Sequence, residues 1–320
     1  MAKPFNMDDI TLQINISAGD VNYAHLTVPA IVNQHPQIKK RLLIIDCCRP
    51  QKTKILDPDV RFPKEQFEQG VEKIKVIAQK LLSDNIVDQL YFVYPDDAMI
   101  DEMSKKYLAG LYKTTHGAGG MVNMSYWIGF SLPKTRYVLH YDGDMMLYQK
   151  PGFDWAEHAV KLMDERQEAV MAVPRLCPPV KNNYNLPSLN EGRPSESHQD
   201  YWINDWFSTR HFLWDNEKIN TYLPFVRGKV KMELLLRKYG NRAFPIDPEI
   251  LMFKSMAPRG ARRLVLKSED AWMVHPVDKS ADYLNNLPAF LNCIAAGKYP
   301  KEQSGVENMD LKAWTAFIKN

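Results

Sequence analysis

The chain has 320 residues, 45% of them hydrophobic, so it is long and apolar enough to bury a sizeable core. Its formal net charge of +3 is small for that length and no long Lys/Arg run occurs, which argues against nucleic acid as a partner. Cys47, Cys48, Cys177 and Cys293 form neither a C-x-x-C pair nor a zinc-like spacing and read as reduced thiols. No segment approaches the roughly 18 apolar residues needed to span a bilayer. The expectation is a cytoplasmic protein without a transmembrane segment, with a peripheral membrane contact left open.

Short apolar runs alternate with longer amphipathic segments in the first half, the pattern of a mostly parallel sheet covered by helices. Ile10 to Ile16 alternates as a strand, a helix is expected from about Asn22 to Gln34 before Pro36, and Arg41 to Asp46 is a second strand. Phe67, Val71, Ile74, Ile77, Ala78 and Leu81 recur at three- and four-residue steps, predicting an amphipathic helix over Glu65 to Ser83. Gln89 to Tyr94 is a strand closed by Pro95. Gly119-Gly120 is expected to open a helix reaching about Phe130, and Thr135 to Tyr141 is the strand that delivers Asp142.

Trp155 to Glu165 reads as a helix and Ala169 to Val173 as a strand. From Pro178 to about Gly228 the chain is rich in Pro, Asn, Ser and aromatics with weak periodicity, predicting long loops over a cleft. Lys229 to Tyr239 is helical with Gly240 as its stop, and helices near Ala281 to Ala296 and Leu311 to Ile318 finish the chain. The organisation expected is a nucleotide-binding α/β part over residues 1–175 and a loop-rich, helical acceptor-binding part over 176–320, both of one domain.

Asp142-Gly143-Asp144 places two carboxylates at the carboxyl end of an apolar strand, where open α/β sheets hold their ligands. A central glycine permits a tight turn and leaves no side chain in the way of a phosphate. Hard carboxylate oxygens suit Mg²⁺ or Mn²⁺, which take one or two protein carboxylates and complete their shell with phosphate and water. The triplet alone is weakly specific. Its setting, between an apolar strand and Met145-Met146-Leu147, argues against a solvated turn.

The run Tyr137 to Met146 resembles the Asp-x-Asp segment of family-2-like GT-A glycosyltransferases. Ser17-Ala18-Gly19-Asp20, after the first strand, is similar to the segment that begins the nucleotide site in that family. Asp46 matches the acid that faces the nucleobase, although Cys47-Cys48-Arg49 replaces the residues usual after it, and a strand-end turn acid is the alternative. Gly117-Ala118-Gly119-Gly120 with Asn123 resembles the Gly-rich turn and helix beside the donor. The resemblance implies a GT-A fold, a nucleoside-diphosphate sugar (a UDP-sugar first) as donor, and a Mn²⁺ or Mg²⁺ cofactor. In it Asp144 binds the metal most directly, Asp142 serves ribose or metal-bound water, and Ser17, Ala18, Asp46, Gly119, Gly120, Asn123 and Gly143 line the nucleotide.

His275, before Pro276, stands where many GT-A enzymes carry a histidine that completes the metal or phosphate site, and imidazole suits either role. Inverting members use a carboxylate as general base. Glu233 is the candidate by resemblance of Met232 to Gly240 to the family's acid-led helix, an ordinary surface acid being the alternative. Asp205 and the pair Glu269-Asp270 are reserves. The aromatics from Tyr184 to Trp214, among them Tyr201, Trp202, Trp206, Phe207 and Phe212, are candidates to line a cleft for a carbohydrate or small-molecule hydroxyl acceptor, with half expected in the core. Arg175, Lys181, Arg193 and Arg210 are candidate anion contacts. The function implied is metal-dependent glycosyl transfer, inverting by direct displacement. A sugar-nucleotide-forming nucleotidyltransferase and an inert nucleotide-sugar-binding module are the alternatives.

Overall fold

The computed structural model describes residues 6–180, 195–240 and 242–319. In chain order the elements are β1 (Ile10–Ser17), α1 (Ala24–Asn33), β2 (Arg41–Asp46), α2 (Pro58–Arg61), α3 (Lys64–Ser83), β3 (Gln89–Val93), α4 (Ala98–Leu108), α5 (Met124–Ser131), β4 (Tyr137–Asp142), β5 (Met146–Gln149), α6 (Trp155–Glu165) and β6 (Ala169–Val173). There follow β7 (Glu196–Ser197), β8 (Tyr201–Asn204), β9 (His211–Asp215), α7 (Asn216–Asn220), α8 (Gly228–Tyr239), α9 (Pro248–Met256), β10 (Arg262–Leu266), β11 (Ala271–Val274), α10 (Ala281–Ala295) and α11 (Leu311–Phe317).

Nine strands form one sheet in the order β3-β2-β1-β4-β9-β6-β10-β8-β7. All point the same way except β8 and β9, so the sheet is mostly parallel, as expected of an α/β chain. Helices α1, α3 and α6 cover one face through a core that includes Ile14, Val28, Ile74 and Trp155. Helices α4, α5, α8 and α9 cover the other, with Ile44, Trp127, Phe130 and Trp214 inside. A third layer packs Trp272, Tyr283, Phe290 and Trp314 around a two-stranded ribbon of β5 and β11.

The alternation that marks β1 as a strand does not mark a solvent face. Its polar positions are buried as well, with Thr11 Oγ1 bonded to Thr135 Oγ1 at 2.8 Å and Gln13 Nε2 donating to Asn15 Oδ1 at 2.6 Å. Helices α3, α6 and α10 and strands β2, β3 and β6 lie within a residue of expectation, because each combines a clear apolar period with a stop signal.

Two expectations are corrected. The helix after Gly119-Gly120 begins only at Met124: Gly117 N donates to Met121 O at 2.7 Å and Gly120 adopts φ +85°, closing a turn first. Residues 181–194 of the segment expected as loops over a cleft lie outside the described residues, and the part from 195 onward is not such a set of loops. It supplies β8 and β9 to the sheet, and Tyr201, Trp202, Phe207, Phe212 and Trp214 are buried there, not arrayed as a sugar platform. Trp206 is half-buried against Phe253, and Tyr184 lies outside the described residues. All four cysteines are free thiols, and among the described residues no helix is long and apolar enough to cross a membrane.

Neighbouring leucines of α8 make a test of this packing. Leu234 is fully buried in the second core, whereas Leu236 is 68% exposed. Leu234→Ala should lower stability by about 2–5 kcal/mol, and Leu236→Ala should stay within about 0.5 kcal/mol of the parent, read as shifts in the urea unfolding midpoint.

Candidate functional site

The carboxyl ends of β1, β2 and β4 converge because the three strands are parallel and in register, with Asn15 opposite Asp142 and Ser17 opposite Asp46. A cavity of about 150 Å³ opens there, walled by Asn15, Asp20, Asp46, Tyr126, Asp142 and Asp144 among others. A second, of about 260 Å³, shares Ser17, Asp46 and Val122 with it and extends over Ala18, Gly120, Phe62 and Phe67. Together they form a continuous groove from the two acids to the end of β2.

Gly143 is required by β1. Its amide donates to Asn15 O at 2.8 Å, and a Cβ would stand 2.6 Å from Ile16 Cγ2. The steric demand for glycine comes from the strand beneath, a reason the sequence did not show. The turn sends its two acids to different layers.

Asp142 accepts Tyr126 Oη at 2.8 and 2.9 Å, and its amide donates to Arg210 O at 2.7 Å. His140 Nε2 stands 3.4 Å from Asp142 Oδ1 while its Nδ1 meets Gln13 Oε1 at 2.5 Å. Burial pushes His140 down to about 3, so the ring is neutral and offers Asp142 no charge. Burial first, and the nearby Asp144 charge second, hold the Asp142 carboxyl well above the usual range. Asp20 accepts from Ser17 N at 2.6 Å, Ser17 Oγ at 3.1 Å and Tyr23 Oη, yet burial raises it to about 6.

Asp144 faces the third layer. Its Oδ2 accepts Lys279 Nζ at 2.5 Å and lies 3.8 Å from His275 Nε2. His275 follows β11, which pairs with β5 so that Val274 sits opposite Met146. His275 Nδ1 meets Asn308 Oδ1 at 3.2 Å; with the ring proton on that side, Nε2 is the nitrogen free to accept or to ligate on the side of Asp144. Burial lowers its pKa, with Asp144 opposing, so the ring stays neutral. Lys279 Nζ also donates to Tyr23 Oη at 3.0 Å, linking Asp144 to Asp20.

Among the described residues no cluster of three or more His, Cys, Asp or Glu could hold a metal ion alone. The donors present nevertheless fit a hard divalent cation. Asp144 Oδ2 and His275 Nε2 are two electron-rich atoms 3.8 Å apart, a gap that two bonds of about 2.1 Å span, with the remaining positions open to phosphate and water.

The other expected residues divide. Ser17, Ala18, Asp46 and Gly120 line the groove, Asp46 accepting Cys48 N at 2.7 Å and Ser125 Oγ at 2.9 Å. Gly119 and Asn123 do not. Gly119 O accepts from Arg61, and fully buried Asn123 accepts Trp127 Nε1 at 2.6 Å, so Val122 and Ser125 take the wall positions.

Neither proposed base reaches the groove. Glu233 is held by Arg237 at 3.0 Å and Lys254 at 2.8 Å; chiefly the Lys254 bond lowers its pKa, which makes it a weak proton acceptor. Asp205 follows β8, four strands from β4, roughly 19 Å at the usual strand spacing. Asp270 pairs with Lys150 at 3.1 Å.

Arg175 is buried over Trp202, whereas Arg210 does come beside Asp142, its guanidinium 3.6 Å from Glu307. Lys181 and Arg193 lie outside the described residues. Tyr126, Tyr23 and Lys279 went unread in the sequence. The only signal for Lys279 was its place four residues after His275 on the same strap.

No family model matches this chain, and no curated protein resembles it in sequence. Solved structures similar to it include residues 1–349 of TarS from S. aureus, at TM-score 0.39 and 12% identity over 89% of this chain and 66% of that one, just under two thirds of its length. The galactosyltransferase LgtC, in complex with donor and acceptor sugar analogues, gives TM-score 0.37 and 8% identity over 91% of this chain and 98% of that one. Mannose-1-phosphate geranyltransferase from Thermus thermophilus gives 0.35 and 10%, over 81% and 73%. At these values the likeness assigns no donor, metal or acceptor to the chain.

The raised Asp142 pKa makes a prediction. A carboxyl raised in the folded state favours folding below its unfolded value near 3.8, and that contribution is lost as pH rises through the folded value. Asp142→Asn keeps an acceptor for Tyr126 and cannot ionise. It should raise Tm at pH 8 by a few degrees, on a scale of about 2–4 °C per kcal/mol, with the gain vanishing near pH 4; calorimetry at the two pH values checks this.

Proposed function

We propose that the chain is a metal-dependent glycosyltransferase moving a sugar from a nucleoside-diphosphate donor, a UDP-sugar first, to the hydroxyl of a carbohydrate or small-molecule acceptor. The observation that carries this reading is the facing pair Asp144 Oδ2 and His275 Nε2, 3.8 Å apart at the end of a groove that runs on to Asp46. Mn²⁺ or Mg²⁺ held there would neutralise charge on the departing diphosphate.

The chain's own groups do the rest. Asp142, fixed by Tyr126, orients ribose or water. Ser17, Ala18 and Asp46 wall the nucleoside end, and Gly120 leaves its floor open. Lys279 and Arg210 supply positive charge beside the acids, where phosphate oxygens would lie. In direct displacement the acceptor oxygen bonds to the anomeric carbon as the bond from that carbon to the diphosphate breaks, its electron pair leaving on phosphate. The acceptor proton needs a carboxylate. Asp247 lines neither cavity but suits this better than Glu233: burial raises its pKa, among the described residues no ion pair holds it, and its Oδ1 lies 2.7 Å from where a Gly117 Cβ would stand, in the turn that carries Gly120. A nucleotidyltransferase is less well served, because the loop after β1, Ser17-Ala18-Gly19-Asp20, carries no basic residue to meet a triphosphate.

Asp144→Ala should abolish Mn²⁺-dependent binding of UDP measured by calorimetry and cut donor turnover by about 10²-fold or more. Unchanged turnover would refute the central proposal. Lys279→Met separates the ammonium's two relations: with the competing cation removed, Mn²⁺ alone should bind Asp144 more tightly, whereas UDP affinity at saturating Mn²⁺ should fall about tenfold.

A further inference from the structure

Helix α8 carries two apolar faces. Leu234, fully buried, and Val230, half-buried, turn one toward the core. Met232, Leu235, Leu236 and Tyr239 make the other, at steps of three and four residues. Met232 is 60%, Leu236 68% and Tyr239 78% exposed. At about 100° per residue the four fall within an arc of roughly 100°, centred roughly 150° from Leu234. The stripe therefore points away from the protein.

Its margins are cationic. Lys229 borders the stripe on one side and Lys231 with Lys238 on the other, all three exposed, although Lys238 Nζ donates to Leu111 O at 3.1 Å. Glu233, the helix's one acid, lies off the stripe and is bound by both Arg237 and Lys254, so no carboxylate of the helix offsets the margin. A solvated helix face would intersperse both signs of charge and omit the aromatic and aliphatic centre. We propose that this face of α8 docks on an anionic membrane surface. The apolar stripe enters the headgroup boundary, and the lysines keep their stems along it with their ammonium groups at lipid phosphates. Lys238 would exchange its exposed bond to Leu111 O for a lipid phosphate. A second copy of the chain is a poor occupant, since a two-fold pairing of the stripe sets lysine margins against lysine margins. None of these side chains lines the groove, so the inference stands apart from the transferase reading.

The full chain is sedimented with phosphatidylcholine vesicles and with vesicles also containing phosphatidylglycerol. The parent should bind the anionic vesicles at low salt at least about tenfold more tightly than the neutral ones and be released by high salt. Met232→Ser/Leu236→Ser/Tyr239→Ser should weaken binding about tenfold or more. Lys229→Glu/Lys231→Glu/Lys238→Glu should reduce it to the level of neutral vesicles. All these positions are exposed, so both variants should keep the parent's thermal midpoint, which checks that they fold. Absent or lipid-independent binding by the parent, or unchanged binding by either folded variant, would overturn the proposal. So would a dimer in sedimentation velocity that the serine variant abolishes.

Discussion

The site depends on how closely the turn after β4 lies against the end of β1. With the Gly143 amide on Asn15 O at 2.8 Å there is no room for a side chain between them. That contact keeps Asp142 in the ladder opposite Asn15 and releases Asp144 toward the ribbon of β5 and β11. Each carboxylate is then fixed by a different layer: Asp142 by Tyr126 of α5, Asp144 by Lys279 of the strap after β11. The position of one carboxyl relative to the other is thus set by the stacking of layers, not by the flexibility of a loop.

Such an arrangement gathers like charge in a place that does not relieve it. Asp20 and Asp142 are both held above the ordinary carboxylate range, chiefly by burial. Histidines 35, 140 and 275 are all pushed toward neutrality by burial, so none compensates them. The positive charge beside them comes from Arg210 at Asp142 and from Lys279, whose ammonium is paired with Asp144. Raised carboxyls gathered in a cavity mark it as a candidate functional site, since stability alone would favour neutral side chains there.

Much of the frame was legible because local signals agreed. β2, α6 and β6 combine an apolar run with a clear boundary and match expectation residue for residue. The Asp142-Gly143-Asp144 turn and His275 stood out in the sequence and the fold brings them together, although the contact of Gly143 with Ile16 is one that no local pattern reveals. β8 and β9 were not legible: both strand faces are buried, so no alternation survives, and Pro, Asn and Ser around them imitate a loop. Glu233 and Asp205 fit a motif or lay near aromatics, but a helix acid finds its partners in space, and Lys254 comes from another element altogether. Lys279 and Tyr23 acquire meaning only through the contact they make with each other and with Asp144.

The reversed strand β9 has a bearing on how the chain comes to be made. It fills the slot between β4 and β6, pairing with both, although it is synthesised after them. On the ribosome, β4 and β6 emerge with unpaired backbone facing each other across a gap, and that gap closes only when residues 211–215 have cleared the exit tunnel. Until then the turn bearing the two acids lacks the Arg210 carbonyl that anchors it. The surroundings of Asp144 come later still, because His275 and Lys279 follow β11 near the end of the chain.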